Sequence, residues 1–290
     1  MTYATPQALR MALEQRLLRH STQTGISLDR LRRRVVFERV IARLQSAEPG
    51  VWVLKGGMAL EVRLHDDARL TKDLDLGLRT DIADAEDLHD RLIDALAVDP
   101  DGDRFEFTVE PPRRLREDVA GRPTWRARTR ARLAGKDFGS LQLDISPRAH
   151  ELDDTDVITL PNSLEFAGIA PVEVEIVDVH RHAAEKLHAM VRDFGERENS
   201  RVRDLVDIVI LIEHGLLDTP RVGSAVRQVW AERENAEPPE TLPPLPESWP
   251  DRYERLVAEY DIKARTFSAA LDLVDELWNT MVQSKKNSPE

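Results

Sequence analysis

Apolar positions along the chain fall into blocks whose period switches between helical and strand spacing. Residues 5–20 and 27–47 carry leucines, valines and isoleucines three and four apart, which predicts two helices, the second with Ser27 or Asp29 as its N-cap. A continuous apolar run over 51–54 reads as a short buried strand, and 57–64 returns to helical spacing. Residues 74–78 form a second strand, and 83–97 a helix with Leu88, Leu92, Ile93 and Leu96 on one side. The turn signal Pro100-Asp101-Gly102-Asp103 precedes an alternating strand at 105–109. Trp125 to Leu133 alternates strictly, with Arg126, Arg128, Arg130 and Arg132 on one face and Trp125, Ala127, Thr129, Ala131 and Leu133 on the other. A further strand follows at 141–146.

After residues 172–177 the character changes. Helical patterns cover 180–193, 201–214, 224–233 and 252–282, interrupted by a connector over 237–250 that holds six prolines. The pattern predicts an α/β (α+β) chain of two lobes: a small mixed sheet covered by helices over 1–177, and a helical C-terminal lobe over 178–290. No internal repeat is visible.

Composition narrows the chemistry. The 290 residues contain no cysteine, which excludes disulfides, zinc-thiolate sites and thiol nucleophiles. The first eighteen residues intersperse apolar positions with Arg10, Glu14 and Arg16, an amphipathic helix rather than a signal peptide, and no apolar run reaches membrane-spanning length. The expectation is a soluble cytoplasmic protein without a membrane partner. A net charge of −12 argues against nonspecific coating of nucleic acid, yet residues 113–136 carry nine basic side chains against Glu117 and Asp118. A local basic surface can therefore sit on an acidic body.

The most informative segment begins at Leu54-Lys55-Gly56-Gly57. A strand that breaks at Gly-Gly into a helix presents bare amides to a phosphate, and Lys55 is placed to be a phosphate contact or a solvated side chain. Shortly after comes Asp73-Leu74-Asp75-Leu76, whose strand period puts both carboxylates on one face. Two adjacent acids repel one another, and a hard cation such as Mg²⁺ relieves that repulsion while bridging a nucleotide's phosphates. A solvated acidic strand is the plainer alternative.

These motifs resemble the polymerase-beta-type nucleotidyltransferase superfamily. With Arg69 and Thr71 just before the acids, and a later cluster of Glu185-Lys186-Leu187-His188 and Arg203-Asp204-Leu205-Val206-Asp207, the chain more narrowly resembles the AbiEii family of toxin–antitoxin pairs, which includes the mycobacterial MenT toxins. The resemblance implies a nucleotidyltransferase core in which a third carboxylate stands beside Asp73 and Asp75, with Asp144 the best candidate. It also implies that Lys186 neutralises a triphosphate, that Asp207 or Asp204 orients the nucleotide or a neighbouring helix, and that Lys55, Gly56, Gly57, Arg69 and Thr71 line the nucleotide site. It implies an NTP donor, Mg²⁺, a cognate antitoxin, and the tRNA acceptor end as the hydroxyl that receives the NMP, blocking translation. A protein or small-molecule acceptor, or a noncatalytic relic that binds RNA or a partner, are the alternatives. Without the resemblance, Lys186 reads equally well as an exposed charge on an amphipathic helix, and Asp204 and Asp207 read more often as a solvated face.

Two further features complete the reading. The arginine face of 125–133 suits an RNA backbone or an antitoxin surface, or serves simply as an exposed strand protected from edge pairing. Thr71, two residues before Asp73, would share its face in a strand, and phosphorylation there would set negative charge against the metal site. The histidines, including His180, His182 and His188, show no metal spacing and read as scattered surface positions, and the acidic stretch 153–156 lacks the features of a calcium loop.

Overall fold

A computed structural model describes residues 3–64, 73–115, 117, 123–147, 154–258 and 260–286. Contacts divide the chain into two compact units, one built from Met1–Arg63 and Leu70–Val177, the other containing Asp178–Glu290. No described helix is long and apolar enough to cross a membrane.

The first unit opens with α1 (Pro6–Thr24) and α2 (Leu28–Ala47). Thr5 caps α1 by accepting from the Ala8 amide, Gly25 ends it in the left-handed region, and Ser27 caps α2. Leu9, Leu13 and Leu17, spaced by four, are the buried line of α1. α2 is enclosed more fully and buries polar side chains as well, each with a partner. Arg43 and Asp103, both fully buried, form a two-pronged pair at 2.7 and 2.6 Å, and Arg39 binds Asp101 at 2.9 Å. Those acids belong to the turn just before the strand that starts at Phe105, so ion pairs fix α2 over the sheet.

The sheet runs β3-β4-β5-β2-β1-β7-β6. Its strands are β1 (Trp52–Lys55), β2 (Asp73–Leu78), β3 (Phe105–Arg114), β4 (Trp125–Leu133), β5 (Lys136–Pro147), β6 (Thr155–Thr159) and β7 (Glu173–Val177). β2 is parallel to β5 and β1 to β7, while the remaining neighbours are antiparallel, so the sheet is mixed. α3 (Gly56–Leu64) leaves β1 without a break, and α4 (Ala85–Ala97) follows β2. On β4 the predicted alternation is observed residue by residue: Trp125, Ala127, Thr129, Ala131 and Leu133 are buried in the core that α1 and α2 cover, and the arginines take the other face.

Several sequence expectations need correction. β6 was not anticipated; it is an edge strand whose only strongly apolar residues are Val157 and Ile158, so it carries no clear alternation. β3 continues past Val109 through Pro111 and Pro112, which sit in a register shift between Glu110 and Arg113 of this edge strand, where neither has to donate to the ladder. The single helix expected over 252–282 is two, α8 (Trp249–Val257) and α9 (Phe267–Lys286). Glu213 supplies the break by accepting from the amides of Lys263 and Ala264, and Thr266 restarts the helix by capping Ala269. Pro250 lies in the first turn of α8 rather than in the connector, where a missing N–H costs nothing.

The second unit also contains α5 (Val179–Val191), α6 (Val202–Glu213) and α7 (Thr219–Glu234). α5 packs against both α6 and α7, and this buries nearly its whole circumference. His180, His182 and His188 are therefore interior residues, contrary to the surface reading. His188 meets Trp230 edge-to-face and bonds Glu234 at 2.9 Å.

Candidate active site

The site is assembled by strand register. Antiparallel pairing sets Lys55 of β1 opposite Asp75 of β2, parallel pairing sets Asp75 opposite Asp144 of β5, and antiparallel pairing sets Asp144 opposite Arg126 of β4. Residues in direct register project to the same face of a sheet, so Lys55, Asp75, Asp144 and Arg126 form one row across four strands. Its charges run plus, minus, minus, plus. Asp73 lies two residues from Asp75 and so joins the same face, while Leu74 and Leu76 between and after them enter the core.

At the β1–α3 junction, Gly56 has a φ of 60°, in the left-handed region. A side chain there would also collide with Asp75, since its Cβ would lie 1.8 Å from the Asp75 Oδ2. The Asp75 carboxylate thus rests directly against the Gly56 backbone, a packing that only glycine permits. Gly57 follows in the first turn of α3, whose amides have no intrahelical partner.

Arg126 engages Asp144 with both prongs, Nε to Oδ1 at 2.7 Å and the terminal nitrogen to Oδ2 at 2.6 Å. Its pKa is raised, first by those hydrogen bonds, against partial burial, and then by the charges of Asp144, Asp73 and Asp75. One guanidinium therefore lies in the field of all three carboxylates. The four β4 arginines do not share one environment: Arg126 belongs to the acids, whereas Arg128, Arg130 and Arg132 are exposed. Arg130 pairs with Glu110 across the strand boundary, and Arg132 reaches the Gly135 carbonyl. The acids that answer these arginines come from neighbouring strands, which inspection of β4 alone does not reveal.

In the second unit, Lys186 of α5 places its Nζ 3.0 Å from Asp204 and 2.7 Å from Asp207 of α6. All three are buried, Asp207 to 1% exposure. Burial pulls the Lys186 pKa down, but the charges and hydrogen bonds of Asp207 and Asp204 together outweigh it and raise the value, so the ammonium stays charged. The spacing of the two aspartates by one helical turn delivers both to the same cation. Arg69 and Thr71 lie outside the described residues.

The family profile described as "Nucleotidyl transferase AbiEii toxin, Type IV TA system" matches residues 39–280. The chain belongs to the AbiEii family. As an AbiEii protein it is a nucleotidyltransferase toxin of a toxin–antitoxin system, with an NTP as substrate and a cognate antitoxin as partner. Among solved structures, MenT4, a nucleotidyltransferase toxin from Mycobacterium tuberculosis H37Rv, is 20% identical with a TM-score of 0.55, covering 92% of this chain and 89% of that one. A protein from H. pylori assigned as a nucleotidyltransferase is 18% identical with a TM-score of 0.50, covering 91% of this chain and all of the other, 100%. These likenesses show a shared fold. Among curated protein sequences the chain has no match.

Nucleotidyltransferases typically use a divalent metal, and the AbiEii donor set here suits a hard cation. Asp73, Asp75 and Asp144 offer only carboxylate oxygens, on one face, with two of the three in direct register. Among the described residues no three such side chains already form a metal cluster, and Asp144 has both oxygens on Arg126. The fit therefore requires Asp144 to exchange its guanidinium for the cation.

Proposed function

We propose that this toxin transfers a nucleoside monophosphate from an NTP to a hydroxyl at the tRNA 3′ end, in a Mg²⁺-dependent reaction that blocks translation. The observation that carries this reading is the row of register-matched carboxylates set against the Gly56 backbone at the start of α3. Asp73, Asp75 and Asp144 would hold the cation, which when bound supplies charge neutralisation at the triphosphate.

The residues of the chain do the rest. The free amides at the start of α3 and Lys55 receive phosphate oxygens. A carboxylate of the set, Asp144 on this reading, takes the proton of the acceptor hydroxyl as its oxygen bonds to the α-phosphorus. The α–β phosphoanhydride bond breaks and pyrophosphate leaves. Arg126, released from Asp144, remains beside the acids as a fixed positive charge. Arg128, Arg130 and Arg132 lie on the same face of β4 as Arg126 and suit the sugar–phosphate backbone of a folded RNA.

The test is incubation of the purified protein and Mg²⁺ with each α-³²P-labelled NTP and total tRNA, beside Asp73→Ala. Label on RNA that disappears in the variant is the expected result and names the nucleotide. Label on protein in a lysate, with none on RNA, would reassign the acceptor, and an active Asp73→Ala would overturn the site.

A further inference from the structure

The second unit contains a polar cavity of about 500 Å³ lined by Ser200, Val202, Arg203, Arg252, Arg255 and Leu256. Arg203 stands in the first turn of α6, whereas Arg252 and Arg255 are three apart on α8 and so share a helix face. Three arginines from two helices thus line one cavity, and no carboxylate is among the described residues that line it. None of the three forms an ion pair with a described residue; Arg255 donates to the Asp251 carbonyl at 3.0 Å. Asp204, next to Arg203 in sequence, is turned the other way, onto Lys186. The buried arginines of this acidic chain are each matched by a carboxylate, as Arg43 with Asp103 and Arg181 with Glu232 show.

The helices that carry these arginines are held in place. Fully buried Trp249, at the start of α8, donates to the Asn199 carbonyl at 2.8 Å. Asn199 in turn donates to the carbonyls of Ala189, Met190 and Arg192 at the end of α5, and Tyr253 anchors the buried side of α8 through Ala264 at 2.7 Å. These bonds hold the backbones that carry the arginines. Like charges on one helix face repel one another, and a bound anion relieves that repulsion. Planar, forked donors of this kind match phosphate oxygens.

We infer that the Arg203–Arg252–Arg255 cavity is a phosphate-binding site, which on the proposed transferase reading takes successive phosphates of the RNA acceptor's backbone. The same chemistry would accept the phosphates of a nucleotide, and two measurements on the full chain separate the sources. The affinity of a fluorescent single-stranded RNA oligonucleotide is followed against salt without NTP, and inorganic pyrophosphate is titrated calorimetrically. Both are made on the wild type and on Arg203→Gln/Arg252→Gln/Arg255→Gln. The expected result is at least a tenfold loss of RNA affinity, with the slope of log K against log salt shallower by about 2, from roughly 0.7 per lost phosphate contact. Loss of pyrophosphate binding with RNA binding unchanged would assign the site to the nucleotide and overturn the RNA assignment. No change in either would overturn the site altogether. Should the triple variant fail to fold by circular dichroism, each single substitution is expected to flatten the slope by roughly 0.7, and three unaltered slopes would refute the inference. Neither measurement needs turnover, so a wild type that binds RNA through these arginines yet labels none would sink the tRNA-transfer reading and leave this site standing.

Discussion

Gly56 shows how a single residue decides the site. Replacing it with alanine imposes a positive φ on a residue with a Cβ and drives that Cβ into the Asp75 carboxylate, so strain and displacement of a candidate ligand come together. Gly56→Ala is expected to cost about 1–3 kcal/mol in denaturant unfolding and to lower labelled-nucleotide transfer at least a hundredfold; transfer near the wild-type rate would separate Asp75 from the chemistry. Arg126 supports an opposite expectation. It competes with a cation for Asp144 and compensates the other two acids, so Arg126→Ala should bind Mn²⁺ about tenfold more tightly by electron paramagnetic resonance while its metal-free form melts lower. Arg126→Lys keeps the charge, loses the two-pronged grip, and should fall between. Unchanged Mn²⁺ affinity in both would mean that Asp144 is not a ligand.

Among the elements, legibility followed the strength of the local period. β4 was readable to the residue because alternating arginine and apolar positions leave no second register. β6 was not, since an edge strand half exposed on both faces needs little apolar pattern, and the α8–α9 break was set by Glu213, far away in sequence. The histidines of α5 were misjudged for a related reason: a helix packed on two sides buries polar residues that look amphipathic in isolation. The Lys186 cluster joins α5 to α6, and removing the ammonium alone would strand two buried carboxylates. Lys186→Met is expected to destabilise the protein by about 3–5 kcal/mol. Adding Asp204→Asn and Asp207→Leu should restore most of that loss without restoring transfer, because an apolar replacement satisfies the packing but supplies no charge. If the triple variant transfers nucleotide at the wild-type rate, the cluster is a structural tie between helices and nothing more.

For the whole molecule, the sequence reached the acids but not their arrangement. Asp73 and Asp75 announce themselves by spacing, whereas the row from Lys55 to Arg126 exists only once four strands are in register, and no linear pattern records which arginine of β4 meets Asp144. Glu38 is another contact of this kind. Though it sits in α2, it accepts from the Ser163 amide at 2.9 Å and hydroxyl at 2.7 Å, a tie across 125 positions of chain. Burial pushes its carboxyl up to about 7 from an ordinary 4.5, with the Ser163 bonds working the other way. Between those values the folded chain binds more protons than the unfolded one at this site, so stability falls as pH rises through the window, by roughly 3 kcal/mol once pH exceeds 7. His188 acts in the opposite sense. Its pKa is lowered chiefly by burial, so below about pH 6.5 the unfolded chain binds the extra proton and stability rises with pH. The two slopes oppose each other below about pH 6.5, so His188 offsets part of the fall that Glu38 causes in the wild type. Glu38→Gln removes only the falling slope. Its melting temperature should climb over that range and exceed the wild type's above pH 7, as followed by circular dichroism in matched ionic strength. Parallel profiles for the two proteins would show that Glu38 is ionised in the fold at every pH tested and that Ser163, not burial, sets its charge.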